Sequence, residues 1–322
     1  MNREIRAFDA VIVRGVGGLY TVREDNGQET DCRAKGTFRH DGMTPLVGDR
    51  VHVTVDDAME NKQDRGAQTG AMIAEIYPRR NALIRPAMAN LHVMFVVAAA
   101  KDPDPSLRFL DKLLCILEYQ EIEPVLNVTK ADLDAHRAEQ MRTKYEKCGF
   151  TVFVTDAETA AEDARIVAYL ETFDEHTIAA FCGASGVGKS TLMNRLFPHL
   201  DLETGEISEK IARGKHTTRA VHLFSLEHCS GGRYRGYLAD TPGFSMLDFV
   251  RFDFFSVEEL PYTFREFVPL IGQCRYTKCT HTKEEGCAIL SAVAQKSVPK
   301  SRHTSYLELY DALKDKKEWM KD

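Results

Sequence analysis

The sequence lacks a long apolar segment. Its longest uninterrupted apolar run, Val93–Ala100, spans eight residues, whereas a helix that crosses a bilayer needs about 20. The first residues, Met1–Arg6, alternate in charge where a secretion signal requires an apolar core. We therefore expect a cytoplasmic protein without a membrane partner.

An excess of positive charge is also missing, since 42 Lys and Arg stand against 48 Asp and Glu and the net charge is -6. Proteins that coat nucleic acid non-specifically neutralise its phosphates with surplus Lys and Arg, so the sequence excludes this function class, although it allows local basic faces. With 322 residues, 43% of them apolar, the chain is long enough for two or three packed domains. We expect a globular monomer.

Cysteines are too few for a disulfide scaffold, because only eight are spread over 322 residues. Three of them form the pattern C-x4-C-x-H-x5-C with a histidine: Cys274, Cys279, His281 and Cys287. Three thiolates and one imidazole suit tetrahedral zinc and leave no open position, so the cluster predicts a structural zinc site. The alternative is incidental buried cysteines, which is our interpretation of the other five: Cys32, Cys115, Cys148, Cys182 and Cys229.

The first eighty residues are rich in β signals. Short β-branched or alternating runs at Ala10–Val13, Gly18–Val22 and Asp49–Val55 are separated by glycine and other turn residues. This pattern predicts a small all-β barrel over residues 1–80. The favoured interpretation is an OB-fold, a five-stranded barrel that often binds RNA, and the alternative is an SH3-like barrel.

From about residue 91 strands and helices alternate, which is typical of an α/β domain with a mostly parallel, doubly wound sheet. Strands are expected at 93–97, 124–128, 151–154, 178–182 and 237–239, and helices at 107–118, 132–147, 158–173 and 189–197. After residue 250 strand signals are few, and a C-terminal helix is expected from Ser305 to Trp319. We therefore place an α/β domain at 81–250 and a mostly α domain with the cysteine cluster at 251–322.

One segment of the α/β domain fills every fixed position of G-x-x-x-x-G-K-[ST]: Gly183, Ala184, Ser185, Gly186, Val187, Gly188, Lys189 and Ser190. Glycines in such a loop let backbone N–H groups face phosphate oxygens at a helix N-terminus. Lys189 can then reach the β and γ phosphates, and the Ser190 hydroxyl can bind magnesium. A plain glycine-rich turn would not explain Lys-Ser at this offset.

The residues Thr129-Lys130-Ala131-Asp132 follow an expected strand and match the base-reading motif [NT]-K-x-D. The Asp132 carboxylate can accept hydrogen bonds from the guanine N1 and N2 donors, a pair that adenine lacks. Lys130 would lie over the base, and Thr129 stands where asparagine is commoner and can make fewer hydrogen bonds. Thr155 begins a loop that could touch the guanine O6. Alone, this motif could be an ordinary strand-to-helix loop; beside a phosphate loop it favours GTP.

A third motif, Asp240-Thr241-Pro242-Gly243, matches D-x-x-G. In this motif the aspartate holds magnesium through water and the glycine N–H meets the γ-phosphate; the alternative is a plain Pro-Gly turn. Between it and the phosphate loop lies a polar segment with Thr217 and Thr218. Either threonine could complete the magnesium shell, and we favour Thr218.

The motif order is informative, because the base-reading motif precedes the phosphate loop instead of following D-x-x-G. The same parts cut at a different loop make a circular permutation. Phe244 occupies the position of the glutamine that orients the attacking water in Ras-like proteins, and phenylalanine cannot do this. His216 is the candidate replacement, although it could equally be an exposed loop histidine. We expect slow intrinsic hydrolysis that a partner accelerates.

Together these motifs resemble the RsgA (YjeQ) family of circularly permuted GTPases that depend on the small ribosomal subunit. The resemblance rests on six segments: Val47–Val51, Pro78–Pro86, Gly183–Thr191, Gly214–Thr218, Asp240–Gly243 and Cys274–Cys287. It implies an OB-fold, a permuted GTPase domain and a zinc domain, with nucleotide contacts extending to Thr191. The chain departs from the family at Thr129, which replaces asparagine, and at Glu285, where a proline is expected.

The resemblance further implies GTP hydrolysis coupled to late maturation of the small ribosomal subunit, with that subunit and its rRNA as partners. The implied cofactors are GTP or GDP, Mg²⁺ and one structural Zn²⁺. Phe244 leaves an alternative open, a nucleotide-gated RNA-binding assembly factor with negligible turnover. A P-loop ATPase or kinase is a third interpretation, and Asp132 argues against it.

Overall fold

The computed structural model describes residues 5–40, 42–56, 70–84, 87–156, 161–200, 221–240 and 256–314. The chain forms two compact units. The first comprises Met1–His92, Tyr169–Ala180 and Met193–Gly243, and the second comprises Val93–Ala168, Phe181–Leu192 and Phe244–Asp322. None of the described helices has the length and apolarity required to cross a membrane.

The strands are numbered in chain order: β1 Ile5–Val16, β2 Leu19–Arg23, β3 Glu29–Ala34, β4 Arg50–Asp56, β5 Ala71–Ile76, β6 Ala82–Leu83, β7 Met88–Ala89, β8 Val93–Ala99, β9 Glu123–Thr129, β10 Thr151–Val154, β11 Ile178–Gly183, β12 His222–Ser225 and β13 Tyr237–Asp240. The α-helices are α1 Thr37–His40, α2 Leu107–Tyr119, α3 Ala135–Lys147, α4 Ala161–Leu170, α5 Lys189–Leu196, α6 Leu226–Cys229, α7 Ala288–Ala294 and α8 Lys300–Lys314.

The first five strands form a closed barrel in the order β1-β2-β3-β5-β4, with β4 pairing back onto β1. Its interior is filled by apolar side chains that are completely buried, among them Ile12, Val22, Val53 and Ile73. Five strands closed in this way confirm the OB-fold over the SH3-like alternative. The sequence signals missed β3, because its exposed face is polar and Cys32 is its one buried side chain.

Gly48 closes a corner of the barrel that only glycine can occupy. Its φ is 91°, and a Cβ atom there would lie 2.1 Å from the carbonyl oxygen of Ala89. The next residue, Asp49, is fully buried and accepts hydrogen bonds from Leu46 N and from the Arg79 guanidinium, each at 2.7 Å. The Val47–Val51 and Pro78–Pro86 segments are therefore joined by an ion pair whose carboxylate is buried.

β12 and β13 continue from the barrel, whereas β6 and β7 form a separate two-stranded sheet. β12 is antiparallel to β13 and meets β1 at the pair Arg14 and His222. β13 in turn lies parallel to the start of β11, with Ala239 opposite Ala180. The short strand β12 was not predicted, since four residues carry little periodicity.

The second unit contains the parallel strands β8, β9 and β10 in adjacent positions. All seven residues of β8 are buried, as expected of a parallel sheet covered on both faces. The last residues of β11 lie beside β8, where the Phe95 and Phe181 rings stack with centroids 4.6 Å apart. These strands confirm the predicted α/β core.

Several helix boundaries differ from those predicted, and the starts of α3 and α8 have clear physical reasons. α3 begins at Ala135, because the carboxylate of Asp134 caps the helix by accepting from Arg137 N at 3.0 Å. α8 begins at Lys300 and not at Ser305, because the Pro299 carbonyl already accepts from Arg302 N at 3.0 Å. A proline fits the first turn of a helix, where its missing N–H has no role.

Within the described residues 256–314 there are helices and two 3₁₀ turns but no strand, as predicted. In the core of this region Phe264, Phe267 and Tyr306 pack together, with ring centroids 4.9 to 5.4 Å apart. It also includes Cys115 of α2. The C-terminal residues therefore share one core with a helix of the α/β domain.

A buried ion network reinforces this contact. Arg302 of α8 is 0% exposed and donates to Glu266 Oε1 at 2.6 Å and to Asp111 Oδ1 at 3.0 Å. Asp111 of α2 also accepts from Tyr145 Oη at 2.9 Å and from Ser305 Oγ at 2.6 Å. The network thus joins α2, α3 and α8.

We predict that Gly48→Ala lowers the free energy of unfolding of the barrel by about 3 kcal/mol, because a Cβ at positive φ would also overlap a backbone carbonyl. Gly17→Ala is the matched control. Its φ is 60°, but nothing lies within 4 Å of the added atom, so we expect a loss of only about 1 kcal/mol. Urea unfolding followed by circular dichroism measures both values, and equal losses would contradict the prediction.

Candidate nucleotide site and metal centre

The phosphate loop leaves the buried end of β11 and enters α5, which begins at Lys189. Gly186 and Gly188 have φ of 77° and 90°, so glycine is required for the turn that directs N–H groups outward. Gly183 approaches β8 so closely that a Cβ would lie 2.5 Å from Val97 O. Residues 184–186 and 190–191 are exposed, which leaves this surface free to meet phosphate groups.

Thr129 joins the base-reading motif to the phosphate loop. It is buried, and its hydroxyl donates to the Val187 carbonyl at 2.5 Å, with Ala98 O at 3.4 Å as a second acceptor. Gly188 packs against it, because a Cβ there would lie 3.7 Å from Thr129 Oγ1. The Thr129 hydroxyl therefore connects the loop at 129–132 to the loop at 183–190. The threonine side chain is small enough for the close approach of Gly188.

The other base-reading residues lie around the end of β9. Lys130 has φ of 55° and its ammonium donates to the Asp102 carbonyl. Asp132 is exposed and therefore accessible to a ligand. Thr155 is buried, and its carbonyl accepts from Ala131 N at 3.2 Å. The structure thus brings the loops at 129–132, 155–156 and 183–190 together, while their roles toward a nucleotide stay predictions.

Several predicted residues fall outside the described part of the chain. These are His216, Thr217, Thr218 and Gly243, together with Phe244. Asp240 is the last residue of β13 and its side chain is likewise outside the description. The magnesium shell and the water-orienting residue therefore stay predictions from the sequence.

The predicted zinc ligands do converge. One ligand atom from each of Cys274, Cys279, His281 and Cys287 lies within 4.8 Å of the others. The Cys274 and Cys287 sulfurs are 3.9 Å apart, and His281 Nδ1 lies 3.6 and 3.5 Å from them. Bonds of about 2.3 Å to sulfur and 2.0 Å to nitrogen at the tetrahedral angle imply separations of about 3.8 and 3.5 Å. The cluster can therefore hold a tetrahedral metal ion.

Hydrogen bonds from neighbouring residues hold the loop at 280–284, which contains His281, in place. His303 Nε2 lies 2.8 Å from the carbonyl oxygen of His281, and Tyr306 Oη donates to the Thr280 carbonyl at 2.7 Å. Partial burial raises the pKa of the Glu284 carboxyl, but hydrogen bonds from the Thr280 hydroxyl and from backbone N–H groups outweigh it and lower that pKa to about 2. Glu284 is thus an ionised anchor of this loop, and its role was not predicted.

The five remaining cysteines are all buried. Burial raises the pKa of the Cys182 thiol, directly before the phosphate loop, to about 12, although Lys189 opposes this. Burial likewise raises the pKa of Cys32, Cys115 and Cys148 to about 12. Protonated, inaccessible thiols are inert, which agrees with their interpretation as core residues.

Residues 76–250 match the RsgA GTPase family, and residues 11–61 match the RsgA N-terminal domain. The "Small ribosomal subunit biogenesis GTPase RsgA" of Alkaliphilus metalliredigens is 40% identical over 304 residues, which cover 94% of this chain and 97% of that protein. The chain belongs to the RsgA GTPase family. A relative of the same name from Ruminiclostridium cellulolyticum is 36% identical to this RsgA-family chain over 308 residues, covering 95% and 93% of the two chains.

Two solved structures have the same fold as this RsgA-family chain. One, described as "YloQ, a circularly permuted GTPase", has a TM-score of 0.74 and 31% identity, and the match covers 97% of this chain and 96% of that one. The other, YjeQ from Thermotoga maritima, has a TM-score of 0.78 and 27% identity and covers 97% and 100%. The chain is therefore a GTP hydrolase with a circularly permuted fold, as the motif order predicts.

We predict that Cys279→Ala removes bound zinc, from one ion per chain to none, and lowers the unfolding temperature by on the order of 10 °C, because the metal stabilises a region with few other elements. Cys148→Ala is the control, since this buried thiol lies outside the cluster. Elemental analysis and thermal unfolding report the two effects. Retention of zinc by Cys279→Ala would refute its role as a ligand.

We also predict that Thr129→Val weakens GDP binding about tenfold, because it removes the buried hydrogen bond between the base-reading and phosphate loops. Thr129→Ser keeps the hydroxyl and should recover most of the affinity. Isothermal titration measures both. Equal affinities for the valine and serine variants would show that the hydroxyl has no such role.

Proposed function

We propose that the chain binds GTP and Mg²⁺ and hydrolyses the nucleotide during biogenesis of the small ribosomal subunit. The observation that carries this proposal is the identity of 40% with a protein named for that role, over 94% of the chain. The convergence of the loops at 129–132 and 183–190 supports a guanine-nucleotide site. The segments 1–80, 81–250 and 251–322 would act as OB-fold, GTPase and zinc-binding domains.

In this proposal the N–H groups of residues 183–191 and the Lys189 ammonium hold the β and γ phosphates, and Asp132 accepts hydrogen bonds from guanine. Ser190, Asp240 and either Thr217 or Thr218 would hold magnesium, with Gly243 N–H on the γ-phosphate. Magnesium, when bound, neutralises charge on the phosphate oxygens. Water attacks the γ-phosphorus, the bond to the β–γ bridging oxygen breaks, and GDP and phosphate are released.

His216 would orient the attacking water, because Phe244 has no polar atom for this purpose. A partner that positions His216 would accelerate hydrolysis, so turnover would depend on that partner. The small subunit and its rRNA fit this role. Residues 272–322 carry ten Lys and Arg against seven Asp and Glu, so a local basic region exists within an acidic, monomeric and cytoplasmic protein.

We predict that small ribosomal subunits raise the rate of GTP turnover by at least about tenfold, while large subunits leave it unchanged. Phosphate release under multiple-turnover conditions measures this. Lys189→Ala should abolish both basal and stimulated rates, whereas His216→Ala should lose mainly the stimulation. A single turnover even with small subunits would favour the nucleotide-gated assembly factor, and competition by ATP as strong as by GTP would favour an ATPase.

A further inference from the structure

The strand that leads to the base-reading loop carries an amide inside the sheet. Asn127 lies in β9 two residues before Thr129 and is 0% exposed. Its neighbours in the sheet are Val97 of β8 and Phe153 of β10. A polar side chain between apolar strands is unfavourable unless its hydrogen bonds are made.

The Asn127 amide is only half satisfied. Its Oδ1 atom accepts a hydrogen bond of 3.0 Å from Thr155 Oγ1, while Nδ2 has no hydrogen-bond partner among the residues that the structure describes. Turning the amide by 180° would exchange the two atoms and leave the oxygen unpaired instead. Replacing both partners, Asn127 by leucine and Thr155 by valine, would remove every polar side-chain atom of this contact, so stability alone does not account for the pair.

Thr155 connects Asn127 to the base-reading loop at 129–132. Its N–H donates to Val128 O at 2.8 Å, and its carbonyl accepts from Ala131 N at 3.2 Å. Ala131 directly precedes Asp132. A continuous set of hydrogen bonds therefore runs from Asn127 through Thr155 to the backbone that presents the Asp132 carboxylate.

We propose that Asn127 is a positioning residue for guanine recognition. Asn127 accepts a hydrogen bond from the Thr155 hydroxyl. This contact sets the distance between the loops at 155–156 and 129–132, and therefore the direction of the Asp132 carboxylate. Asn127 itself is enclosed in the sheet and acts only through Thr155. This inference rests on the proposed function, because it concerns the same nucleotide site.

The test compares the affinities of the full chain for GDP and for IDP, which lacks the guanine 2-amino group that Asp132 would bind. In Asn127→Leu we expect GDP affinity to fall about tenfold and the preference for GDP over IDP to shrink to less than about a third of its parent value. The unfolding temperature should change by less than about 5 °C, because loss of the unpaired amide offsets loss of the acceptor for the buried Thr155 hydroxyl. Thr155→Val should show the same loss of preference, and Thr155→Ser should recover most of it.

Val125→Ala is the matched control, because Val125 is buried in the same strand. It should lower the unfolding temperature without changing the preference for GDP. If Asn127→Leu and Thr155→Val weaken GDP and IDP equally, or if Val125→Ala reduces the preference as much, Asn127 only supports the sheet and the inference is wrong. A parent chain that binds GDP no better than IDP would also overturn it. Equal parent affinities for GDP and ADP would instead refute the proposed guanine site.

Discussion

The buried guanidinium of Arg302 is the constraint on which much of the second unit depends. A charge that is 0% exposed must be paired, and Arg302 finds its partners in Glu266 and in Asp111 of α2. Removing one carboxylate from such a network typically costs about 3–5 kcal/mol, because the remaining charge is left buried. The C-terminal residues are thereby held in one defined position on α2 and α3.

The position of the C-terminal residues on α2 and α3 concerns both the predicted base-reading loop and the cysteine cluster. α3 begins three residues after Asp132, and its Tyr145 donates to the same Asp111 carboxylate at 2.9 Å. On the other side, Tyr306 of α8 packs in the core that contains Cys287, a predicted metal ligand. The predicted base-reading loop is therefore linked to this network through α3, and the cysteine cluster through α8, which carries both Arg302 and Tyr306.

The nucleotide site itself is organised by short polar contacts between loops. Thr129 replaces the asparagine common in this motif, and its hydroxyl bonds to the Val187 carbonyl of the phosphate loop. The substitution thus retains a link between base-reading and phosphate-binding residues. Asn127 and Thr155 form a second contact, between β9 and the loop at 155–156. The predicted base-reading loop is thus hydrogen-bonded both to the predicted phosphate loop and to the loop at 155–156.

The sequence alone indicated the phosphate-loop and base-reading motifs, their permuted order, the four residues of the cysteine–histidine cluster and most strands of the α/β core. Each depends on residue types at short, regular spacings, and local chemistry dictates those spacings. Only the tertiary structure decided the partners of Arg302 and Asn127, because these lie between 28 and 191 residues away in the chain. It also showed why Gly183, the first residue of the phosphate loop, must be glycine. A Cβ atom at this position would lie 2.5 Å from Val97 O of the neighbouring strand β8. A spacing rule cannot reveal such contacts, since they exist only once separate segments pack together.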